Sequence, residues 1–382
     1  MSLSRAKHWL EKIHNLPVTD KIKVMNVCGG HERTISNAGI RSLLPQNIEL
    51  IPGPGCPVCI CPEEDIFLAI QLALHEDVIL TAFGDMLRVP VNVAKKEVRS
   101  LAQARAHGAD IRPIASPVEA VSIARDNPHR TIIFFAAGFE TTTAPVAAMI
   151  AEGLPENLFI LLSGRLTWPA VALLLNSGEP GFDALIAPGH VATVMGPEQW
   201  QFVTDRHKLP AAIAGFEAES MLAALYSVLR QKIEQTPFLD NCYSKVVQAD
   251  GNITAKRFLE MTMQVNDSNW RGIGIIADSG FCLRPEYAAH DARLIFKDYS
   301  DDTRKRIGEM PAGCDCAQVV LGKIYPDQCR LYATACQPET PIGPCMVSDE
   351  GACHIWWNTH RHHKSAKHNK IKSPTRPVNE PA

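Results

Sequence analysis

Cysteines carry the clearest chemistry in this sequence, and they fall into three groups. The distal group lies between Pro311 and Cys353, the second is Cys56 and Cys59 in the string GPGCPVCIC, and the third is Cys28 in VCGGHERT. Thiolates are the preferred ligands of iron-sulfur clusters and structural zinc, and paired thiols exchange electrons with disulfides. The sequence therefore points to metal binding or thiol redox chemistry.

The distal group contains enough thiols to ligate a metal cluster. Its members are Cys314, Cys316, Cys329, Cys336, Cys345 and Cys353. Intervals of twelve, six and sixteen residues separate four of them, Cys316, Cys329, Cys336 and Cys353. Structural zinc would instead show two close CxxC pairs, so these gaps favour an iron-sulfur cluster. Cys314 can replace Cys316 as a ligand because one residue separates them, and Cys345 is interpreted as a spare thiol.

Cys56 and Cys59 form a CxxC pair that encloses a proline. Such a pair lets two sulfur atoms meet across a tight turn and lowers the pKa of the attacking thiol. Half of a zinc site is the usual alternative, but no second CxxC is present to complete it. The pair predicts redox or metal-transfer chemistry.

Cys28 follows the apolar run IKVMNV, at a predicted junction between a strand and a helix. Gly29 and Gly30 would let a ligand or partner approach the backbone, and the start of the helix would stabilise a thiolate through its N–H groups and dipole. We therefore expect Cys28 to be an iron ligand or a nucleophile. His31 is a candidate second ligand or proton donor, with a structural role as the alternative.

Strands that end in glycine-containing turns position these residues. The clearest apolar runs are IKVMNV, DVILTAF, RTIIFFAA, FDALIAP and AAIAGF. Continuous apolar strands imply sheets covered on both faces and hence mostly parallel, and such sheets bind ligands beyond the carboxyl ends of their strands. We predict an α/β fold with mostly parallel domains over 1–118 and 119–250, followed by a smaller loop-rich iron-sulfur domain over 251–357. The basic, histidine-rich tail over 358–382 should be disordered.

Composition argues against several classes of protein. The 382 residues, 46% of them hydrophobic, are enough for two or three domains. A formal net charge of −3 offers no global attraction to nucleic acid or to an anionic membrane. No apolar run approaches the roughly 20 residues of a membrane span, and the amphipathic N-terminus lacks a signal-peptide core. We expect a cytoplasmic protein, in which twelve cysteines do not form a disulfide framework.

Several strings together resemble the hydrogenase maturation factor HypD family. They are CGGH, GPGCPVC, FGDMLRVP, GFETTTAP, APGHV, WRGIGII and GPCMVSDEGAC, in this order between about residue 20 and Cys353. The resemblance implies two similar α/β domains and a smaller domain that binds a 4Fe-4S cluster. It also implies complexes with a HypC-type small chaperone and a HypE-type cyanide donor.

The resemblance also implies a role for each group of cysteines. The chain would be a scaffold for nickel-iron hydrogenase maturation, on which a transient iron acquires CO and two cyanide ligands. The hydrogenase large subunit would be an indirect partner, which receives this iron afterwards. Cys28 would hold this iron together with a partner's cysteine, and Cys56 and Cys59 would relay electrons from the cluster towards Cys28. The cluster ligands would be Cys316, Cys329, Cys336 and Cys353, with Cys314 as the alternative to Cys316.

The sequence departs from the family pattern near the presumed iron site. Glu32 and Arg33 follow CGGH, where the family commonly carries Thr and His. Pro52 stands at a common His position and Val91 at a common Gly position, while Cys61 and the histidine-rich tail are additions. These changes suggest a divergent paralogue with altered partner preference or weakened scaffold activity.

Two alternative functions remain open. A cluster-dependent thiol-disulfide oxidoreductase would act on a protein disulfide and would need neither CO nor cyanide. Nucleotide hydrolysis would need a phosphate cradle, but neither a GxxxxGKS nor a GxGxxG string occurs. Asp85, Glu140 and His190, at predicted strand ends, are candidates for acid-base or ligand contacts, with helix capping as the other explanation.

Overall fold

The computed structural model describes residues 2–94, 96–178, 180–299 and 310–359. The predicted disordered tail over 358–382 lies outside this range from residue 360 onwards. Within the described residues the chain forms two mostly parallel β-sheets flanked by helices, followed by an irregular cysteine-rich region, as the α/β prediction requires. Among these residues, no helix has both the length and the apolar character needed to cross a membrane.

The first sheet is built from parallel strands. They are β1 (Ile22–Asn26), β2 (Ile48–Pro52), β7 (Ala184–Pro188), β8 (Ala211–Ala214) and β9 (Leu239–Asn241), in the order β2-β1-β7-β8-β9. Three of the apolar runs predicted as strands, IKVMNV, FDALIAP and AAIAGF, form β1, β7 and β8 of this sheet.

The second sheet combines parallel strands with an antiparallel hairpin. Its strands are β3 (Val78–Phe83), β4 (Ile111–Ile114), β5 (Thr131–Gly138), β6 (Leu158–Arg165), β10 (Met263–Trp270) and β11 (Gly274–Leu283). The order is β10-β11-β6-β5-β3-β4, and β3 to β6 pair in parallel. The hairpin of β10 and β11 joins the sheet through antiparallel pairing of β11 with β6.

Helices connect the strands and cover the sheets. They are α1 (Ser2–His14), α2 (Gly29–Asn37), α3 (Ile40–Leu43), α4 (Pro57–Ile60), α5 (Glu63–His75), α6 (Leu101–Ala106), α7 (Pro117–Asp126), α8 (Glu140–Ala151), α9 (Thr167–Asn176), α10 (Gly189–Met195), α11 (Gln201–Asp205), α12 (Ala218–Glu234), α13 (Ile253–Thr262), α14 (Ala292–Ile295) and α15 (Cys316–Val320). Short 3-10 turns include Gly84–Arg88 and Pro344–Met346, and 352–359 is helical.

Both faces of each sheet are buried, which explains the continuous apolar strands. On β1, the adjacent residues Val24 and Met25 belong to different apolar clusters. On β5, the adjacent residues Ile132 and Ile133 also belong to different apolar clusters. Because successive side chains of a strand point to opposite faces, each sheet must pack against helices on both sides.

The strands of each sheet are not contiguous in the chain. After β2 the chain leaves the first sheet and builds β3 to β6 in the second. It then returns to the first sheet for β7 to β9, and goes on to form the hairpin of the second sheet. A division at residue 118 would separate β3 from β5, although these strands pair directly. The sheets therefore do not follow the predicted limits 1–118 and 119–250, because strand pairing is long-range and the local apolar pattern does not reveal it. The hairpin likewise lies inside the range 251–357 but pairs with the second sheet.

Each sheet has a topological switch point, where the strand order reverses direction. In the first sheet the reversal lies between β1 and β7, so Cys28 and His190 follow the two strands that flank it. In the second sheet it lies between β3 and β5, which are followed by Asp85 and Glu140. Ligands of open α/β sheets bind in these crevices, so the order of strands places four predicted site residues at candidate sites.

Candidate metal and redox site

Three distal cysteines meet in the protein interior. The sulfur atoms of Cys316, Cys345 and Cys353 all lie within 4.8 Å of one another, and all three residues are buried. The Sγ atom of Cys314 lies 3.2 Å from that of Cys316. This cluster of thiols, which we call the sulfur group (Cys314, Cys316, Cys345 and Cys353), has the spacing and the donor atoms to hold a metal ion or an iron-sulfur cluster.

Cys345, interpreted from its spacing as a spare, belongs to the sulfur group. Its Sγ accepts a hydrogen bond from the Cys353 amide at 3.3 Å. Hydrogen bonds with the Cys316 and Cys353 thiols lower the pKa of Cys345, whereas hydrogen bonds with Cys316 and Cys345 raise the pKa of Cys353. Cys345 is therefore hydrogen-bonded to other members of the sulfur group and is not isolated from them. Sequence spacing could not show this, because the contact depends on how the chain folds between Cys336 and Cys353.

Cys329 and Cys336 are buried beside the sulfur group. Burial is the main cause that raises the pKa of each thiol, and charge on Cys314 raises both further. The Ile342 amide donates a hydrogen bond to Cys336 Sγ at 3.4 Å. Because thiols must lose their protons to ligate a metal, binding of a metal by these two thiols would release protons.

Gly343 lets the backbone approach the sulfur atoms. A Cβ atom at this position would lie 2.4 Å from Cys314 Sγ and 2.5 Å from Cys316 Sγ, closer than such atoms can pack. Glycine is therefore required by the close approach rather than by a turn conformation.

Cys56 and Cys59 are joined by a disulfide bond, with their Cα atoms 5.3 Å apart. Both residues are buried, and the two pack in the same apolar cluster as Cys316, Cys345 and Cys353, together with Trp270 and Phe139. The bond is the oxidised form of the dithiol that the CxxC spacing predicts. The shared apolar core places this disulfide beside the sulfur group.

Cys28 lies at the carboxyl end of β1, immediately before α2. A Cβ atom on Gly55 would lie 2.5 Å from the Cys28 backbone nitrogen, so the loop that leads into the CxxC motif packs directly against Cys28. Cys28, Cys56 and Cys345 line one cavity of about 10 Å³, and Glu350 forms part of its wall. Residues from all three groups of cysteines, remote in sequence, thus border a single space.

The Cys28 thiol is not activated in the way the sequence suggests. Burial raises its pKa to about 12, and the nearby Glu350 carboxylate adds to this effect. The backbone N–H groups of His31 and Gly30 lower the pKa, as expected at the start of a helix, and Arg33 also lowers it. Burial outweighs these groups, so the protonated form of the thiol is favoured at neutral pH.

His31 is held as a neutral side chain. Its Nε2 lies 3.0 Å from the Ala214 carbonyl oxygen, and since a carbonyl can only accept, Nε2 carries the proton. Burial lowers the pKa of His31 to about 4. The buried Nδ1 has no hydrogen-bond partner among the described residues, which leaves a free lone pair. A neutral Nδ1 has no proton to donate, and His31 packs against Phe216 and is not among the residues that line the cavity beside Cys28. Its role as a metal ligand therefore stays a prediction beside the structural alternative.

The departures from the family pattern make defined contacts. Glu32 is buried and accepts hydrogen bonds from Trp356 Nε1 at 2.7 Å and Arg41 Nη2 at 2.8 Å, so it ties α2 to the helical segment 352–359. Arg33 Nη2 donates to the Asp349 carbonyl oxygen at 2.7 Å. Cys61 is buried in the core of the second sheet, outside the sulfur group. Pro52 lines the cavity beside Cys28, whereas Val91 is a core residue.

Glu140 is fully buried at the switch point of the second sheet. Its carboxylate accepts hydrogen bonds from the Thr167 amide and the Thr167 hydroxyl, both at 2.7 Å. These contacts join the first residue of α8 to the first residue of α9. Burial raises the pKa of Glu140 to about 7, even though the hydrogen bonds lower it.

Glu140→Gln should flatten the dependence of stability on pH. The folded-state pKa of about 7 exceeds the ordinary value of 4.5. The protonated carboxyl group therefore contributes fully to the free energy of unfolding below pH 4.5, and this contribution is lost as the pH rises through 7. We expect wild type to lose a few kcal/mol more than the variant between pH 4.5 and pH 8. Urea unfolding of both proteins across this range measures the difference, and parallel curves would contradict the assignment.

The fold and the site define a class of α/β protein with a cysteine-rich site that could hold a metal. A doubly wound α/β frame brings a disulfide, a buried group of thiols and a separate thiol at a switch point to one cavity. The family model HypD, described as the hydrogenase formation hypA family, matches residues 4–360. The chain belongs to the HypD family.

Relatives of this chain are named as hydrogenase maturation factors. It is 40% identical over 345 residues to hydrogenase maturation factor HypD2 of Bradyrhizobium diazoefficiens, covering 88% of each chain. Identity to hydrogenase maturation factor HypD of Escherichia coli is 37% over 361 residues, covering 92% of this chain and 93% of that one. A putative hydrogenase expression/formation protein of Methanocaldococcus jannaschii is 37% identical over 360 residues, with 93% and 97% covered. The chain therefore has a role in hydrogenase maturation and has partners in that pathway.

Proposed function

We propose that the chain is a scaffold in nickel-iron hydrogenase maturation, on which an iron atom acquires CO and two cyanide ligands. The observation that carries this proposal is the cavity shared by Cys28, Cys56 and Cys345. It brings a single thiol at a sheet switch point next to a disulfide, and the disulfide next to a buried group of thiols. Family membership supplies the process, and this arrangement supports the chemistry within it.

Cys28 is the proposed ligand of the iron, which is cargo rather than a resident cofactor. Iron bearing CO and cyanide is low-spin and soft, and a thiolate suits it. A cysteine of a HypC-type small chaperone is the proposed second ligand, and a HypE-type protein the proposed cyanide donor. The hydrogenase large subunit would receive the iron indirectly, and the proposed site of assembly is the cytoplasm.

The distal cysteines are the proposed ligands of a 4Fe-4S cluster. The chemistry of the donor set fits, because buried thiols in an apolar core are what such clusters require. The proposed set is Cys316, Cys329, Cys336 and Cys353, with Cys314 as the alternative to Cys316. When bound, the cluster would supply single electrons beside the disulfide. Cys56 and Cys59 would take up two electrons and two protons as their bond breaks, giving a dithiol within reach of the Cys28 site.

Cys353→Ser should remove the cluster, and Cys345→Ser should retain it. Serine at a proposed ligand position leaves three thiolates, whereas Cys345 lies outside the proposed set although its sulfur is close. Iron and sulfide analysis of both anaerobically purified variants, with the visible absorption of the cluster, measures this. Cys314→Ser and Cys316→Ser in the same series decide which of these residues ligates. A cluster that survives Cys353→Ser but not Cys345→Ser would overturn the ligand set.

Hydrogenase activity in a host that lacks its own HypD-type factor tests the function itself. The wild-type chain should restore activity, and Cys353→Ser should not. Restoration by neither protein, although wild type carries its cluster, would contradict a scaffold role. A thiol-disulfide oxidoreductase acting on a protein substrate is less well supported, because Cys56 and Cys59 are only 5% and 2% exposed and a second protein's disulfide could not reach them without rearrangement.

A further inference from the structure

The turn at residues 347–350 forms part of the wall beside Cys28. A Cβ atom on Gly29, the first residue of α2, would lie 2.4 Å from the Glu350 carbonyl oxygen. Glu350 also lines the cavity into which Cys28 opens. This turn therefore packs on the start of α2 and limits the space around the thiol.

Two side chains of the second sheet hold this turn in place. Asp85 Oδ2 accepts hydrogen bonds from the Ser348 hydroxyl at 3.1 Å and from the Asp349 amide at 3.3 Å. Arg88 Nη2 donates to the Val347 carbonyl oxygen at 3.1 Å. Both side chains belong to the 3-10 turn Gly84–Arg88 that follows β3, at the switch point of the second sheet.

The first sheet holds the same turn from the other side. Arg33, on α2, donates to the Asp349 carbonyl oxygen at 2.7 Å. The turn is therefore a bridge between the two sheets, and its position over Cys28 depends on hydrogen bonds from each. The string FGDMLRVP, which no step of the proposed function uses, supplies the contacts from the second sheet.

We infer that Asp85 and Arg88 are positioning residues that hold the 347–350 turn closed over Cys28. The cavity of about 10 Å³ has room for one water molecule at most, so the turn controls how readily a reagent or a metal group reaches the thiol. The functional meaning of this control rests on the proposed role of Cys28. The hydrogen bonds, and their effect on access to the thiol, do not depend on that role.

Alkylation of Cys28 in the full-length protein tests the inference without iron or partners. Iodoacetamide labelling, read by mass spectrometry of the Cys28 peptide, should be about tenfold faster in Asp85→Ala, the factor that a loss of about 1.4 kcal/mol in closing the turn would produce. Cys282, partly exposed on β11, serves as the reference cysteine in every sample. Asp126→Ala, at an exposed position on α7, is the matched control and should label as wild type.

Asp85→Asn separates positioning from a general effect of lost charge. Both hydrogen bonds end on one oxygen, so an amide oxygen can accept them, and Asp85→Asn should label nearly as slowly as wild type. An unchanged rate in Asp85→Ala, or equal rates in Asp85→Ala and Asp85→Asn, would overturn the inference. If Cys282 also accelerates, indicating unfolding, Ser348→Ala decides: intermediate labelling of Cys28 alone supports positioning and no change refutes it. None of these outcomes bears on whether iron binds.

Discussion

Cys59→Ala should abolish hydrogenase maturation while leaving the proposed iron-sulfur cluster in place. The substitution removes one half of the disulfide with Cys56, so electrons can no longer be held there as a dithiol. Cys59 is not among the three thiols that meet within 4.8 Å, although it packs in the same apolar core. We therefore expect hydrogenase activity to fall to the background of the host, with wild-type iron and sulfide content.

Cys61→Ala is a matched control for this experiment. Cys61 lies two residues further along the chain and is also buried, but its thiol is 3.5 Å from the Ser163 hydroxyl and belongs to the core of the second sheet. Loss of that contact should cost about 1 kcal/mol of stability and leave maturation unchanged. Unchanged maturation in Cys59→Ala would refute the electron relay. Equal loss in both variants would show that local packing, not the dithiol, is what matters.

The sequence pattern was sufficient to predict the parallel core of the fold. The runs IKVMNV and RTIIFFAA are apolar at successive positions, and the structure buries neighbours such as Val24 and Met25 on opposite faces of a sheet. Because continuous apolar strands are typical of a sheet covered on both sides, the two-sided covering could be predicted from the sequence. The positions of Cys28 and Glu140 after strands could be predicted from these two runs, and those of Asp85 and His190 from DVILTAF and FDALIAP.

The assembly of the sheets could not be predicted in the same way. Strand β2, which leads into the CxxC motif, pairs with β1, and β1 pairs with β7, whose first residue is more than 150 positions away. Strand β10 has the sequence MQVNDSNW, and its polar character gives little sign of a strand. Pairings of this kind depend on tertiary packing, and local apolar periodicity carries no information about them.

The candidate site could also be predicted only in part from the sequence. The cysteines and the kinds of chemistry open to them are readable from the sequence, because few other residues can do what thiols do. The place of Cys345 in the sulfur group and the raised pKa of Cys28 are not readable, because both depend on residues brought close by folding. For Cys28 these include Glu350, more than 300 residues away, whose turn packs on Gly29.

Cys28→Ala should eliminate iron with CO and cyanide ligands from the purified protein. Cys28 is the thiol that opens into the shared cavity at the switch point of the first sheet, and replacing it removes the proposed ligand without touching the disulfide or the sulfur group. Cys242→Ala is the matched control. Cys242 is another partly exposed free thiol, and it follows the carboxyl end of β9 in the same parallel sheet. We expect the control to retain the iron group.

Infrared spectroscopy of the protein isolated anaerobically, after co-expression with HypC-type and HypE-type partners, measures this group directly. Wild type and Cys242→Ala should show CO and cyanide stretching bands, and Cys28→Ala should show none while its cluster content stays unchanged. Bands that persist in Cys28→Ala would contradict Cys28 as the iron ligand. Their absence from wild type, with the cluster and both partners verified, would contradict the scaffold itself.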